Sequence, residues 1–210
     1  MVLQRIKDEK LVAVIRTDSA EDAILASERC IDAGVRVIEV TFTIPDAESV
    51  IKTLCKKYNN DDSVVIGAGT VLDSETARIA ILAGAKFIVS PITNPEMISL
   101  CHRYHVVSVA GAFTPNEVYA ALNCGVNMIK IFPGSNASPT YIKDLRGPFP
   151  NTCFMVTGNV NFENVADWIS NGVSAVGVGT VFVKYALSND IDTLKSNIKT
   201  MRESIARGVK

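Results

Sequence analysis

Two side chains stand out because their type conflicts with their surroundings. Lys130 lies inside the apolar run Met128-Ile-Lys-Ile-Phe-Pro133, and Glu39 lies inside Val37-Ile-Glu-Val-Thr41, where it is the only carboxylate. A charge among apolar residues is costly unless it is paired or neutralised. Burial favours the uncharged form of an amine, and that form is the nucleophile that adds to carbonyl carbon. Glu39 is a natural partner for an inward Lys130. If the run is a strand, Val37, Glu39 and Thr41 share one face, and packing of Ile38, Val40 and Phe42 under helices would turn Glu39 inward. The plainer alternatives are a lysine head that reaches solvent and a purely structural ion pair.

Other reactive groups sit at the ends of similar runs. Arg16 closes Leu11–Arg16 on the face of Val12 and Val14, where its guanidinium could grip a carboxylate or phosphate, or form a surface ion pair. Thr70 follows Gly67-Ala-Gly69, whose glycines admit close backbone approach to a substrate oxygen. Thr70 could instead cap the next helix, although Asp73 suits that role as well. Thr157-Gly158-Asn159 and Gly177-Val-Gly179-Thr180 offer backbone amides, and Val181–Lys184 could form a short helix whose amino end binds phosphate. Tight turns are the alternative there. The Ser135–Pro139 loop adds polar groups nearby.

The elements that must position these groups follow from periodicity. Eight short apolar runs read as strands buried on both faces: Leu11–Arg16, Val37–Phe42, Val64–Val71, Phe87–Pro91, Val106–Ala112, Met128–Pro133, Cys153–Gly158 and Ala175–Thr180. Helical stretches separate them. Asp18-Ser-Ala-Glu21, Thr93-Asn-Pro-Glu96 and Thr114-Pro-Asn-Glu117 read as capping boxes. Ile191, Leu194, Ile198, Met201 and Ile205 give the last segment one apolar face. Gly34, Gly84, Gly125 and Gly172 each end a helix ahead of strands two, four, six and eight, a weak repeat of βαβα units. These signs predict a single (β/α)8 barrel over residues 1–210, with its chemistry at the carboxyl ends of the strands. An open doubly wound sheet is disfavoured, since no GxGxxG follows the first strand.

Composition narrows the function classes. A formal net charge of -1 offers no basic stripe to nucleic acid or anionic lipid. No apolar run approaches the ~20 residues of a membrane span, and MVLQRIKDEK is too charged for a signal-peptide core. The five cysteines, Cys30, Cys55, Cys101, Cys124 and Cys153, form no CxxC and read as reduced thiols of a cytoplasmic protein. The two histidines, His102 and His105, fall late in a helix and in its exit loop, away from any carboxylate cluster, so neither a metal nor another cofactor is expected. The expected partner is a small-molecule substrate.

Motif order adds a resemblance. Val14-Ile-Arg16, Gly34-Val-Arg-Val-Ile-Glu-Val40, Ile66-Gly-Ala-Gly-Thr-Val-Leu72, Ser90-Pro91 and Lys130-Ile-Phe-Pro133 resemble, over essentially the whole chain, the aldolases for 2-dehydro-3-deoxy-6-phosphogluconate, 2-dehydro-3-deoxy-6-phosphogalactonate and 4-hydroxy-2-oxoglutarate. The resemblance implies a class I aldolase with Lys130 as Schiff-base lysine and Glu39 as proton-transfer residue. It implies that Thr70 and the Pro91 region help hold the pyruvate half and that the chain forms a homotrimer; Gly158, Asn159, Gly179 and Thr180 are expected at the phosphate from their place at the ends of strands seven and eight.

Three departures bear on the substrate. Many members carry Leu-Arg-Thr after the second strand; Phe42-Thr43-Ile44 stands there instead, which hands the carboxylate to Arg16, a pattern shared with the phosphogalactonate enzymes. The usual Thr-Gly-Gly reads Thr157-Gly158-Asn159, and Lys-Ile-Phe-Pro-Gly-Ser replaces the commoner Lys-x-Phe-Pro-Ala. Two rival readings stand beside the aldolase: a phosphosugar isomerase or epimerase using Lys130 and Glu39 as an acid–base pair, and a non-catalytic metabolite-binding barrel.

Overall fold

In a computed structural model, which describes residues 1–209, the apolar runs form parallel strands that close in chain order. The strands are β1 Leu11–Ile15, β2 Val37–Thr41, β3 Val65–Gly69, β4 Phe87–Val89, β5 Val107–Ala112, β6 Met128–Ile131, β7 Phe154–Thr157 and β8 Val173–Val178. Around them lie α1 Val2–Glu9, α2 Ala20–Asp32, α3 Ala47–Lys57, α4 Ser74–Ala83, α5 Pro95–Arg103, α6 Pro115–Asn123, α7 Pro139–Arg146, α8 Val165–Ser170, α9 Thr180–Leu187 and α10 Ile191–Gly208. The expected (β/α)8 barrel is therefore the observed fold, in one domain. Lys210, included in the expected span, lies outside the described residues.

Alternation sorts the side chains into two layers. Ile38, Val40, Ile88, Ile129 and Val156 face outward and pack with the helices. Val12, Val37, Val65, Phe87, Met128 and Met155 face inward and fill the lower half of the barrel. Helix α1, which periodicity did not predict, closes the bottom, with Ile6 only 1% exposed against that inner cluster. Above the bulky floor the inward positions turn to glycine. Gly67 lies under the Phe87 ring, Gly69 and Gly177 leave the space that the Glu39 and Thr157 side chains occupy, and Gly111 leaves that of the Pro91 backbone.

Several boundaries differ from expectation. Arg16, Phe42, Thr70, Pro91, Pro133, Gly158 and Thr180 lie past the ends of their strands, on the upper face, while β8 begins at Val173 rather than Ala175. Of the three expected capping boxes, only Thr114 with Glu117 forms both reciprocal bonds. Ser19, not Asp18, caps α2, and Asn94, not Thr93, caps α5. Thr93 is diverted because its hydroxyl donates to the Gly111 carbonyl at 3.0 Å. Gly34, Gly84, Gly125 and Gly172 all adopt the left-handed conformation expected after a helix.

Candidate active site

β2 and β6 stand opposite one another in the closed strand order, so inward side chains on them can meet across the barrel. Register carries Glu39 beside Val14 and Gly67, and Lys130 beside Gly111 and Met155. The two reach each other: Lys130 Nζ lies 3.6 Å from Glu39 Oε1. Glu39 is 0% exposed and Lys130 4%. That separation exceeds an N–H···O hydrogen bond, and neither Glu39 oxygen accepts a hydrogen bond among the described residues. A buried carboxylate is expensive unless it is paired or hydrogen-bonded, so Lys130 is its natural counter-charge. The Phe132 ring, 5.3 Å from Nζ at its centroid, completes the apolar setting of the amine.

Glycines shape the space around the pair. A Cβ on Gly69 would fall 2.1 Å from Glu39 Oε1, so the carboxylate rests directly on that backbone. A Cβ on Gly111 would fall 2.0 Å from the Pro91 carbonyl. The chain leaving β4 thus crosses over β5 and brings Pro91 to the side of the mouth nearest Lys130. Ser90, which accepts from Ile92 N–H, and Thr93 pin that crossing.

Thr70 begins the loop after β3 with φ 56°. For a β-branched residue this left-handed conformation costs about 1–2 kcal/mol, and such outliers concentrate at functional sites. Asp73 caps α4, so Thr70 is not needed there. Its Oγ1 instead accepts from Arg16 Nη2 at 3.2 Å. Arg16 is exposed over the mouth. Thr41 is tied down, donating to the Ile15 carbonyl at 3.0 Å and sharing a contact with Thr43.

On the β7–β8 side a cavity of about 740 Å³ opens, lined by Val14, the register neighbour of Glu39, though not by Glu39 or Lys130 themselves. The expected phosphate residues Gly158, Asn159, Gly179 and Thr180 all line it, and so does Arg16. Helix α9 begins there with Gly179 as its N-cap, extending the helix expected at Val181–Lys184. Arg29 on α2 holds the far end of α9, donating to the Ala186 carbonyl and to Asn189. Across the mouth, the Tyr141 hydroxyl donates to the Phe113 carbonyl, and burial pushes its phenol pKa up.

A buried amine facing a carboxylate, with a cavity roomy enough for a small organic acid on the β7–β8 side, suits carbonyl chemistry on such an acid. The family model described as KDPG and KHG aldolase matches residues 2–197. The chain belongs to that family. It is a carbon–carbon lyase, a class I aldolase. The aldolase is 33% identical to the 2-dehydro-3-deoxy-6-phosphogalactonate aldolase of Escherichia coli over 81% of this chain and 82% of that one. It is 31% identical to the 2-dehydro-3-deoxy-phosphogluconate aldolase of Haemophilus influenzae over 92% and 91% of the two chains. Among solved structures, a native KDPGal structure superposes with a TM-score of 0.82 at 29% identity, covering 93% of this chain and 96% of that one.

The fold brings the expected residues to one face of this aldolase. Lys130 and Glu39 meet, Arg16 bonds Thr70, Pro91 leans over Gly111, and the glycine loops of β7 and β8 face one cavity. Arg16 stands between the two halves, since it touches Thr70 yet lines the β7–β8 cavity. One residue was not among the expected ligands. Thr157, inward like Met155, has a buried Oγ1 with no hydrogen-bond partner among the described residues. The alternation that marked Glu39 also marks Thr157, but a threonine in a strand draws less notice than a carboxylate. No group of three or more potential metal ligands occurs among the described residues, and no helix there is long and apolar enough to cross a membrane.

Proposed function

We propose that this aldolase reversibly cleaves a 2-keto-3-deoxy-6-phospho sugar acid to pyruvate and glyceraldehyde 3-phosphate through a Schiff base on Lys130. The observation that carries the reading is the buried Lys130–Glu39 contact of 3.6 Å, with both carboxylate oxygens free to accept. The uncharged Lys130 amine adds to the C2 ketone, and loss of water gives an iminium. Glu39, directly or through a water, takes the C4 hydroxyl proton as the C3–C4 bond breaks. The electron pair of that bond flows into the iminium, which becomes an enamine, and the aldehyde departs. Glu39 returns the proton to C3, and hydrolysis frees pyruvate and the amine. Arg16, Thr70 and Pro91 hold the carboxylate and keto end. Gly158, Asn159, Gly179 and Thr180 receive the phosphate through backbone amides and the amino end of α9. No metal or organic cofactor enters this scheme.

The galactonate epimer is the second reading. Phe42-Thr43-Ile44 places no cation after β2, and the Escherichia coli relative acts on the phosphogalactonate. Cleavage of 4-hydroxy-2-oxoglutarate to pyruvate and glyoxylate uses the same steps. Comparing kcat/KM for the three substrates ranks them. We place the enzyme in the cytoplasm as a homotrimer, for which the exposed Leu82 and Tyr119 offer apolar contact surface. Light scattering tests the assembly.

Borohydride reduction with pyruvate tests the chemistry. A pyruvate-sized adduct on Lys130 is the expected result, absent in Lys130→Ala together with cleavage. Glu39→Gln should slow cleavage by about 10²–10⁴-fold while still giving adduct. Near-normal cleavage by Lys130→Ala refutes the assignment. Turnover without adduct favours an isomerase-like acid–base pair.

A further inference from the structure

The cavity on the β7–β8 side does not stop at the amino end of α9. It runs along the helix to Lys184 and Tyr185. Lys184 follows Thr180 by four residues, so the two share one face of the helix. Helical side chains lean toward the amino end, so a lysine at this position has the reach to meet an anion held at Thr180 and Gly179. The ammonium also lies 5.5 Å from the Tyr185 ring centroid, with both side chains on the cavity wall. Arg16 faces the same cavity from the other side. Neither cation is in a salt bridge among the described residues, and no carboxylate side chain lines the cavity with them. With Arg16 assigned to the carboxylate end, Lys184 is the uncompensated cation on the wall that carries Gly179 and Thr180, a setting that favours an anion.

We infer that Lys184 is a specificity residue that binds the terminal phosphate of the aldehyde half and sets the preference for phosphorylated over unphosphorylated aldehydes. This rests on the cavity being the phosphate end of the proposed reaction. It assigns a charged side chain where Asn159, left-handed with φ 56°, replaces the glycine usual in the family. A lysine acts as a mobile point charge, so the contact tolerates changes in sugar stereochemistry while still demanding charge.

The test is the aldol direction, with pyruvate and either glyceraldehyde 3-phosphate or glyceraldehyde, which differ only in the phosphate. The readout is the ratio of the two kcat/KM values. Lys184→Met should lower that ratio about 2- to 5-fold, the range for an exposed charge contact. The loss should fall on the KM for the phosphorylated aldehyde. Inorganic phosphate should inhibit the Met variant less by a similar factor, and Lys184→Arg should restore both. In the wild type the ratio should fall as salt rises, and the Met variant should respond less. A ratio unchanged in Lys184→Met, or equal losses on both aldehydes, overturns the inference. A wild-type enzyme that shows no preference for the phosphorylated aldehyde and no inhibition by phosphate overturns the reading of the cavity as well. Failed trapping of pyruvate instead refutes the Lys130 chemistry.

Discussion

Replacing Gly69 with alanine puts a methyl group where the Glu39 carboxylate now rests. The new Cβ would lie 2.1 Å from Oε1, 2.6 Å from Cγ and 2.7 Å from Cδ. The carboxylate must recede by about 1.3 Å before ordinary contact at 3.4 Å returns. β3 cannot move instead, because it is hydrogen-bonded to β2 and β4 on either side. The displacement therefore falls on the proton-transfer group, whose present distance to Lys130 Nζ is 3.6 Å. A misplacement of about 1 Å costs roughly 10²-fold in rate, or about 2.7 kcal/mol in the barrier. Overpacking should cost about 1–3 kcal/mol of stability as well.

The assay pairs steady-state cleavage with thermal melting and with pyruvate trapping. Gly69→Ala should lose about 10²-fold in kcat, melt at a moderately lower temperature, and still form the Lys130 adduct. Gly111→Ala supplies the contrast. Its Cβ would meet the Pro91 backbone at 2.0 Å, where no rotamer change gives relief, so its loss should appear mainly as failure to fold. A Gly69→Ala enzyme that folds and keeps kcat within threefold of about its normal value would show that Glu39 is not the group moving the proton.

Thr157→Val removes a buried hydroxyl without a partner, so stability should hold or rise while kcat/KM falls about tenfold; a parallel fall in melting temperature would mean that the hydroxyl is structural. The Thr114–Glu117 capping box should contribute about 1 kcal/mol, measured as the denaturation difference between wild type and Thr114→Ala. Glu117 is held below the usual carboxylate range by hydrogen bonds from Thr114 and Phe113. Its share is thus fully present above the ordinary carboxylate pKa and should fade as pH falls through the depressed value; a difference that grows in acid contradicts it. Burial pushes the Cys30 thiol up to about 12 and Cys101 up to about 11. Both should resist a disulfide reagent at pH 8 until denaturant exposes them, and rapid native labelling of either would refute their burial.

Glu39 and Lys130 were legible because a period of two and an apolar background make a charge conspicuous. Their meeting was legible only as a possibility. It depends on closure, which sets β2 opposite β6, and nothing local to either strand encodes that. Gly69 read as a place where a substrate oxygen could approach the backbone, whereas the Glu39 carboxylate takes that space, and Gly111 drew no notice until Pro91 was placed over it. Strand ends were overextended because Arg16, Thr70 and Pro91 follow the apolar runs with no turn signal between, while the assigned strands stop short of them. Helix α1 was missed for the opposite reason. Its charges dominate a short segment, and Ile6 becomes decisive only when the barrel floor exists to receive it. Ser19 and Asn94 took caps assigned to their neighbours, a one-residue choice between adjacent side chains that can each accept.

The barrel's interior changes character at a single level, and the proposed reaction uses that change. Below it, Phe87, Met128 and Met155 fill the space. Above it, glycines on β3, β5 and β8 empty it, and Glu39 and Lys130 project into the gap from opposite sides. The emptied region is asymmetric. Pro91 folds over Gly111 on the β4–β5 side, while the β7–β8 side opens into the cavity along α9. A keto acid fixed to Lys130 with its pyruvate end under Pro91 must therefore lay its other half toward α9. In the proposed reaction the bond to be broken then lies over the amine, beside Glu39. Covalent attachment would retain the pyruvate half, and the aldehyde half would occupy the side with an exit. The order in which the two products must leave is thus the order that the walls permit.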